Sequence, residues 1–154
     1  MKYEIVELEE KVVAGIKIRT TNQNGKAIQD IGTTWKELFS DGIYENIPNK
    51  LNNKTMGLYT EYEGDYTKPY TFIAGAEINT KTVSRQKIVS KVIPKGKYAK
   101  FVIIGDVQNS VGQAWQEIWN MNLKRKYTCD FEEYQNNSKD MQKQEIHIYI
   151  AIED

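Results

Sequence analysis

Hydrophobic and polar positions in the first half of the chain predict two strands, a helix and two further strands. They alternate over Tyr3–Leu8, and a second β-rich run follows from Val12 to Arg19. Apolar residues then recur at the three- and four-residue offsets of one helix face, and this face consists of Ile28, Ile31, Trp35, Leu38 and Phe39. Two strand-like runs, Met56–Tyr62 and Tyr70–Ile78, complete the half, and Gly64-Asp65 marks the turn between them.

The second half of the chain repeats this order. Its predicted strands are Lys87–Ile93, Lys97–Ile104, Tyr127–Tyr134 and Glu145–Ile152. Pro94-Lys95-Gly96 predicts the turn between the first two strands, and a helix is predicted from about Ser110 to Leu123. The apolar side of this helix consists of Val111, Trp115, Ile118 and Met121.

The two predicted helices share a pattern that indicates an internal duplication. Trp35-Lys36-Glu37-Leu38-Phe39 and Trp115-Gln116-Glu117-Ile118-Trp119 both read tryptophan, any residue, glutamate, aliphatic, aromatic. The half-repeats cover about residues 1–80 and 85–154. Because 154 residues need all of these elements to build one core, we predict a single domain over residues 1–154. Two halves of one design usually build a cleft between them.

Composition narrows the functions open to this domain. The 21 basic and 21 acidic side chains cancel, which removes the broad electrostatic attraction to nucleic acid or anionic lipid. The cluster Lys124-Arg125-Lys126 follows the predicted second helix, where cations complement a helix C-terminus. The lone Cys129 and the lone His147 supply neither a disulfide nor a zinc ligand set. We expect no cofactor, no metal, no direct nucleic-acid partner and no membrane partner, and a cytoplasmic protein.

Glu132 is the strongest candidate for a site residue. It lies between Phe131 and Tyr134 in a chain with ten tyrosines, three tryptophans and four phenylalanines. A carboxylate at the floor of an aromatic cleft attracts a cationic ligand, and the rings add cation–π contacts of about 0.5–2 kcal/mol each. Strand alternation also allows Glu132 to face solvent while Phe131 faces the core, so the pattern leaves both orientations open.

Three parts of the sequence carry a resemblance to a known family. They are Gly57–Tyr59 with Gly75–Glu77, the turn and strand Ile93–Phe101, and Asp130–Tyr134 with Ile148–Ile150. In this order they resemble the GyrI-like small-molecule-binding domain, also described as integron-associated effector-binding protein. This family supplies the effector-binding half of AraC-type and MerR-type multidrug-sensing regulators. Asp130–Tyr134 resembles its hallmark Phe-Glu-x-Tyr strand.

The resemblance implies an α+β fold in which two β-α-β-β units are related by a pseudo-twofold axis. Together they would form an antiparallel sheet with two helices and a central ligand cleft. The resemblance places Glu132 in that cleft, and it assigns no catalytic residue. The aromatic walls of the cleft are then expected to be Tyr59, Trp115, Trp119 and Tyr149. Ala151 departs from the family pattern, because many relatives have a proline after the final aliphatic residue.

The resemblance further implies a freestanding binder of cationic or amphipathic aromatic molecules, without a DNA-binding module, for multidrug-type sensing or sequestration. Two alternatives stay open. One is a hydrolase of reactive electrophiles with Glu132 as general base, although no second catalytic group is identified. The other is a partner protein that modulates DNA gyrase. A homodimer is open too, because a long strand such as Tyr70–Ile78 pairs with another chain if it lies at an exposed edge.

Overall fold

The computed structural model describes residues 1–80 and 85–154, and it confirms the order of elements in both halves. The first half contains β1 Glu4–Leu8, β2 Lys11–Thr20, α1 Lys26–Ser40, β3 Thr55–Thr60 and β4 Tyr70–Ile78. The second half contains β5 Val89–Ile93, β6 Gly96–Gly105, α2 Val107–Trp119, β7 Cys129–Tyr134 and β8 Gln144–Ala151. Over the described residues the fold is α+β, with two α-helices and one eight-stranded sheet.

The sheet has pseudo-twofold symmetry. Its strands are antiparallel throughout and lie in the order β1-β6-β8-β7-β3-β4-β2-β5. The first strand of each half pairs with the other half, because β1 lies beside β6 and β5 lies beside β2. Exchanging every strand with its repeat reverses the order and leaves the neighbours unchanged. The symmetry axis therefore passes between β3 and β7.

The register of β3 and β7 centres this axis on one pair of residues. Gly57 lies opposite Glu132 in the antiparallel ladder. Two residues further along each strand are Tyr59 and Tyr134, which are therefore equivalent positions in the two half-repeats. Glu132 in the second half is consequently the equivalent of Gly57 in the first half.

Two short connections curve the sheet strongly. Glu9-Glu10 joins β1 to β2, and Pro94-Lys95 joins β5 to β6, although the joined strands lie towards opposite ends of the strand order. The face without helices is thereby wrapped around a core that includes Leu58, Phe131 and Tyr149. The two helices pack on the other face and bury two further apolar clusters. Both faces of the central strands are therefore covered.

The helices differ in detail from those predicted. α2 begins three residues before the predicted Ser110, because Asp106 caps it by accepting a hydrogen bond from the Asn109 backbone nitrogen at 3.1 Å. It ends at Trp119, four residues before the predicted end. In α1 the predicted apolar face is wrong at Ile28, which is 83% exposed. Neither helix in the described part of the chain is long and apolar enough to span a membrane.

The sequence left open whether Tyr70–Ile78 lies at an edge of the sheet, and the strand pairing answers this question. β4 (Tyr70–Ile78) pairs with β2 on one side and with β3 on the other, so it offers no free edge to a second chain. The strands at the ends of the order are β1 and β5. A homodimer through Tyr70–Ile78 would require the sheet to open, because every ladder position of that strand already has a partner within the chain.

Candidate functional site

Glu132 lies at the centre of the helix-covered face of the sheet. Side chains alternate along β7, so Phe131 packs in the core on the far face while Glu132 points towards α2. Glu132 is nevertheless only 1% exposed, because the helices cover its face as well. Glu132 and Phe131 lie on opposite faces of the sheet, but both side chains are buried. The alternative in which Glu132 faces solvent is therefore wrong.

Three donors in the described part of the chain bind the Glu132 carboxylate. Trp115 Nε1 and Tyr59 Oη donate to Oε2 at 2.6 and 2.7 Å, and Tyr134 Oη donates to Oε1 at 2.8 Å. The two tyrosines are the pair that the pseudo-twofold axis relates. Each half of the chain therefore contributes a tyrosine donor to one shared carboxylate, which makes the site a property of the duplicated fold.

Burial and hydrogen bonding shift the pKa of the Glu132 carboxyl in opposite directions. Burial raises the pKa of the Glu132 carboxyl above its ordinary value of 4.5, and the hydrogen bonds from Trp115, Tyr59 and Tyr134 limit the rise. Burial and then the charge of Glu132 raise the pKa of Tyr59 and of Tyr134 well above 10.0. Both tyrosines therefore remain protonated at neutral pH and donate to the carboxylate.

Gly57 leaves the space that the Glu132 side chain fills. A Cβ atom at position 57 would lie 3.0 Å from Glu132 Oε1, 3.0 Å from Phe72 Cε1 and 3.1 Å from Trp35 Cζ2. These distances are shorter than the optimal separation of non-bonded heavy atoms. The glycine of one half-repeat is thus required by the glutamate of the other.

Gly57→Ala is expected to lower the free energy of unfolding by about 1–3 kcal/mol, because the new methyl group overpacks a buried site. Urea denaturation measures this change. Gly32→Ala is the matched control, since Gly32 is an exposed residue of α1 and an added Cβ would meet nothing within 4 Å. The control should raise stability by about 0.5–1 kcal/mol. A similar gain at Gly57 would contradict the close packing.

A cavity of about 220 Å³, which we call the first cavity, lies between the helices and the sheet beside Glu132. Aromatic residues dominate its walls, and they are Tyr59, Tyr62, Tyr66, Tyr70, Trp115 and Trp119. Apolar residues near the start of α1 form another wall, among them Ala27, Ile28 and Ile31. The exposure of Ile28 therefore has a structural reason, because this side chain forms part of the mouth of the cavity.

The structure brings together four of the five predicted site residues. Tyr59 and Trp115 pack with ring centroids 4.8 Å apart and direct their polar atoms at Glu132. Trp119 stacks on Tyr66 with centroids 5.3 Å apart and an interplanar angle of 7°. Glu132 is not a wall residue of the first cavity and lies behind Tyr59 and Trp115. Its charge therefore reaches the cavity through these two rings.

Tyr149 is the predicted residue that the structure does not bring to the site. Its ring stacks on Phe131 with centroids 4.6 Å apart, in the core on the opposite face of the sheet. The neighbouring Ile148 and Ile150, in contrast, face the helices. Because the sheet separates Tyr149 from the first cavity, we correct the predicted set of cleft walls by removing it.

A buried ion pair lies two residues before Glu132, on the same face of β7. Asp130 Oδ2 accepts hydrogen bonds from Arg125 Nη2 at 2.8 Å and from Tyr62 Oη at 2.6 Å. Asp130 Oδ1 accepts from the backbone nitrogen of Ala151 at 2.9 Å, at the end of β8. The side chains of Arg125 and Asp130 are 4% and 0% exposed, so this pair is withdrawn from water.

Arg125 has a role that its sequence context did not indicate. The prediction that Lys124-Arg125-Lys126 complements a helix C-terminus is wrong for this residue, because α2 ends at Trp119 and the guanidinium group turns inward. Arg125 instead forms part of the wall of the first cavity and lies over the ring of Tyr127 at 4.3 Å. Among the described residues, its Nε and Nη1 atoms have no hydrogen-bond partner.

Sequence reasoning missed three tyrosines of the first cavity, namely Tyr62, Tyr66 and Tyr70. A signal for them was present, because four tyrosines fall within residues 59–70. The ion pair of Asp130 had no such signal. Its partners come from three separate parts of the chain, and only the fold brings them together.

The duplicated antiparallel sheet, the two covering helices and the shared central carboxylate together define an effector-binding domain of the GyrI-like class. The chain belongs to the family of integron-associated effector binding proteins, Cass2, whose model matches residues 4–152.

Known relatives agree with this assignment. An integron cassette protein from the mobile metagenome of Vibrio cholerae is 32% identical, has a TM-score of 0.73, and is matched over 98% of this chain and 95% of that chain. SAV2435, solved bound to tetraphenylphosphonium, has a TM-score of 0.80 at 21% identity, over 99% of this chain and 94% of that chain, and shows the same fold. "Putative transcriptional regulator protein YobU" of Bacillus subtilis (strain 168) is 28% identical over 96% of both chains.

Proposed function

We propose that this protein captures aromatic cations in the first cavity, with the Glu132 carboxylate as their counter-charge. One observation carries the proposal. The buried carboxylate is held directly behind Tyr59 and Trp115, and these two rings face an aromatic cavity. Capture of such molecules would serve either to sense them or to sequester them, which is the multidrug-type role that the family resemblance implies.

Two forces attract a cation to this cavity. The faces of the aromatic rings carry negative potential, which contributes about 0.5–2 kcal/mol per contact. The ionised Glu132 behind the rings adds a Coulomb attraction that apolar walls weaken less than water does. Arg125 does not cancel this attraction, because Asp130 already pairs with its charge. A neutral aromatic molecule gains only burial and stacking, so the cavity favours ligands with a positive charge.

The relatives support a ligand of this class. SAV2435 shares the fold and was solved with tetraphenylphosphonium, which is an aromatic cation. The name of YobU as a regulator supports sensing as the use of a captured ligand. We therefore propose that this chain binds lipophilic aromatic cations, and that a regulatory response or simple removal follows from their capture.

The geometry argues against the hydrolase alternative. A general base needs a lone pair within reach of the attacking water. Both oxygens of Glu132 accept hydrogen bonds, from Tyr59, Trp115 and Tyr134, and the carboxylate does not form part of the cavity wall. Oε1 accepts one hydrogen bond and could accept another, but Glu132 is 1% exposed, so water reaches it only if a covering side chain moves aside. Cation binding, in contrast, uses the network as it stands.

Two ions of matched shape and opposite charge test the proposal. Tetraphenylphosphonium and tetraphenylborate both present phenyl rings around a central atom, so their apolar areas are similar. We expect the cation to bind about 100-fold more tightly, which corresponds to about 2.7 kcal/mol, because Glu132 attracts only the cation. Isothermal titration calorimetry gives both dissociation constants. Equal affinities, or tighter binding of the borate, would show that Glu132 is not the counter-charge.

A further inference from the structure

A second cavity lies on the other side of the Glu132 network. Its volume is about 650 Å³, and its walls include Trp35, Phe39, Tyr44 and Tyr134. Tyr134 donates to Oε1 of Glu132, whereas the donors from the first cavity bind Oε2. The carboxylate and its three donors therefore separate the two cavities.

The pseudo-twofold axis relates the walls of the two cavities. The equivalent pairs are Trp35 and Trp115, Phe39 and Trp119, and Tyr134 and Tyr59. Each cavity has an aromatic pair from the later part of one helix and a residue from the start of the other, Val107 of α2 in the second cavity and Ile28 of α1 in the first. The internal duplication therefore produces two aromatic cavities that the pseudo-twofold axis relates.

The second cavity also has an incomplete aromatic wall. The ring of Phe39 stacks on Trp35 with centroids 6.3 Å apart and an interplanar angle of 9°, and it lies 5.5 Å from the ring of Tyr44. Phe39 is nevertheless 50% exposed. A large ring at the mouth of a cavity gains by burial when a flat molecule covers its free surface.

Charges distinguish the second cavity from the first. None of the wall residues of the second cavity in the described part of the chain is charged. Lys50 Nζ lies 4.8 Å from the ring centroid of Tyr44, so a positive charge already lies over one of the walls. On this side Glu132 acts only through the hydroxyl of Tyr134. These features favour an uncharged ligand over a cation.

Polar groups at the rim add a means of orienting such a ligand. Asn53, Thr55 and Asn136 line the cavity, and Asn136 Nδ2 donates to the Asn53 carbonyl oxygen at 3.0 Å. A cavity of several hundred Å³ with mainly apolar walls, half of whose residues are aromatic, and a few amide groups is typical of a small-molecule site. The remaining donor and acceptor capacity of the amides suits a ligand with one amine, hydroxyl or carbonyl group.

We propose that the second cavity is a separate binding site for an uncharged molecule of two or three aromatic rings, which is occupied while a cation fills the first cavity. Binding of the uncharged molecule rests on the second cavity's own walls, volume and charge, whereas its simultaneous occupation with a cation rests on the proposed function of the first cavity. Two ligands of different charge then bind on either side of one carboxylate.

N-phenyl-1-naphthylamine is a suitable probe, because it is uncharged and its fluorescence increases in apolar sites. It is titrated into the protein with and without saturating tetraphenylphosphonium. We expect its affinity to change less than about threefold when the cation is present. Phe39→Ala should weaken binding of the probe about tenfold and leave the affinity for the cation unchanged. Trp119→Ala is the variant at the equivalent position of the other half. It should weaken binding of the cation and leave the affinity for the probe unchanged.

Each alternative result overturns a different statement. Competition between the probe and tetraphenylphosphonium, or an unchanged probe affinity in Phe39→Ala, would refute a separate second site. Failure of tetraphenylphosphonium to bind at all would refute the proposed function of the first cavity, while the comparison of wild type with Phe39→Ala would still decide about the second. Phe39 is half-exposed, so its loss is not expected to unfold the protein.

Discussion

Asp130→Asn is expected to lower the free energy of unfolding by about 3–5 kcal/mol, because it leaves the buried charge of Arg125 without its partner. An asparagine oxygen can still accept from the backbone nitrogen of Ala151. Its amide nitrogen then faces Arg125 Nη2 and Tyr62 Oη, which both donate to Asp130 Oδ2 in the wild type. Urea denaturation followed by circular dichroism measures the change.

Glu63→Gln is the control for this substitution. Glu63 accepts a hydrogen bond from Arg19 at 2.9 Å, nearly the distance of the buried pair, but its side chain is 58% exposed. Exposed ion pairs contribute about 0–1 kcal/mol, because water solvates both charges when the pair is broken. Similar losses of stability in the two variants would contradict the importance of burial for the Arg125–Asp130 pair.

Glu132→Gln is expected to weaken tetraphenylphosphonium binding about 30-fold, which corresponds to about 2 kcal/mol. The side chain keeps its shape, and a glutamine oxygen can accept from Trp115 and Tyr59 while its amide donates to Tyr134 Oη. The substitution therefore removes the charge and retains the hydrogen-bonded positions. Calorimetric titration with the cation measures the change in affinity.

The neighbouring carboxylate is the matched control for Glu132. Glu133 lies on the same strand but on the opposite face of the sheet, where Gln135 Nε2 donates to its Oε1 at 2.9 Å. Glu133→Gln should leave tetraphenylphosphonium affinity within about twofold of wild type. If both substitutions weakened cation binding equally, a general loss of negative charge would explain the effect. Glu132 would then not be the counter-charge of the first cavity.

The charge of Glu132 also makes binding depend on pH. Burial raises its pKa above 4.5, so the carboxylate takes up a proton at higher pH than an exposed glutamate does. We expect cation affinity to fall as pH is lowered through this raised pKa and to approach that of Glu132→Gln. The variant itself should show no such change over the same range. Titrations from neutral pH down to the ordinary value of 4.5 measure both curves.

Stability is expected to respond to pH in the opposite direction. A carboxyl whose pKa is raised by folding binds its proton more tightly in the folded chain than in the unfolded chain. Glu132 therefore lowers the stability of the folded state as pH rises from 4.5 through the raised pKa, and this loss is relieved on acidification. Wild type should gain stability relative to Glu132→Gln as pH falls. Urea denaturation of both proteins at several pH values checks the sign.

The elements of this fold were predictable because periodicity is a local property. Alternation and helical spacing depend on residues a few positions apart, so the order of strands and helices in both halves followed from them. Local signals also misled at the ends of elements. The predicted second helix extended past Trp119, although the chain leaves the helix there and turns Arg125 inward to Asp130.

Tyr149 and Glu132 show the limit of pattern analysis for a site. The sequence indicates that neighbouring residues of a strand face opposite sides, but it does not say which side the helices cover. In this sheet both sides are buried, so Glu132 and Tyr149 are both hidden from solvent on different faces. The choice between them as site residues needs the positions of α2 and of the curved edge strands.

By itself, the sequence determined the α+β class, the duplicated order of elements and the candidate carboxylate, since these depend on residue type and short spacing. Only the tertiary structure decided the strand order, the pairing of Gly57 with Glu132, the burial of Arg125 with Asp130 and the placement of the first and second cavities on either side of Glu132. The physical reason is that these features depend on residues far apart in the chain, and even the Arg125–Asp130 pair, whose members are five residues apart, is completed by Tyr62 and Ala151. Their contacts form only when both halves close around a shared sheet.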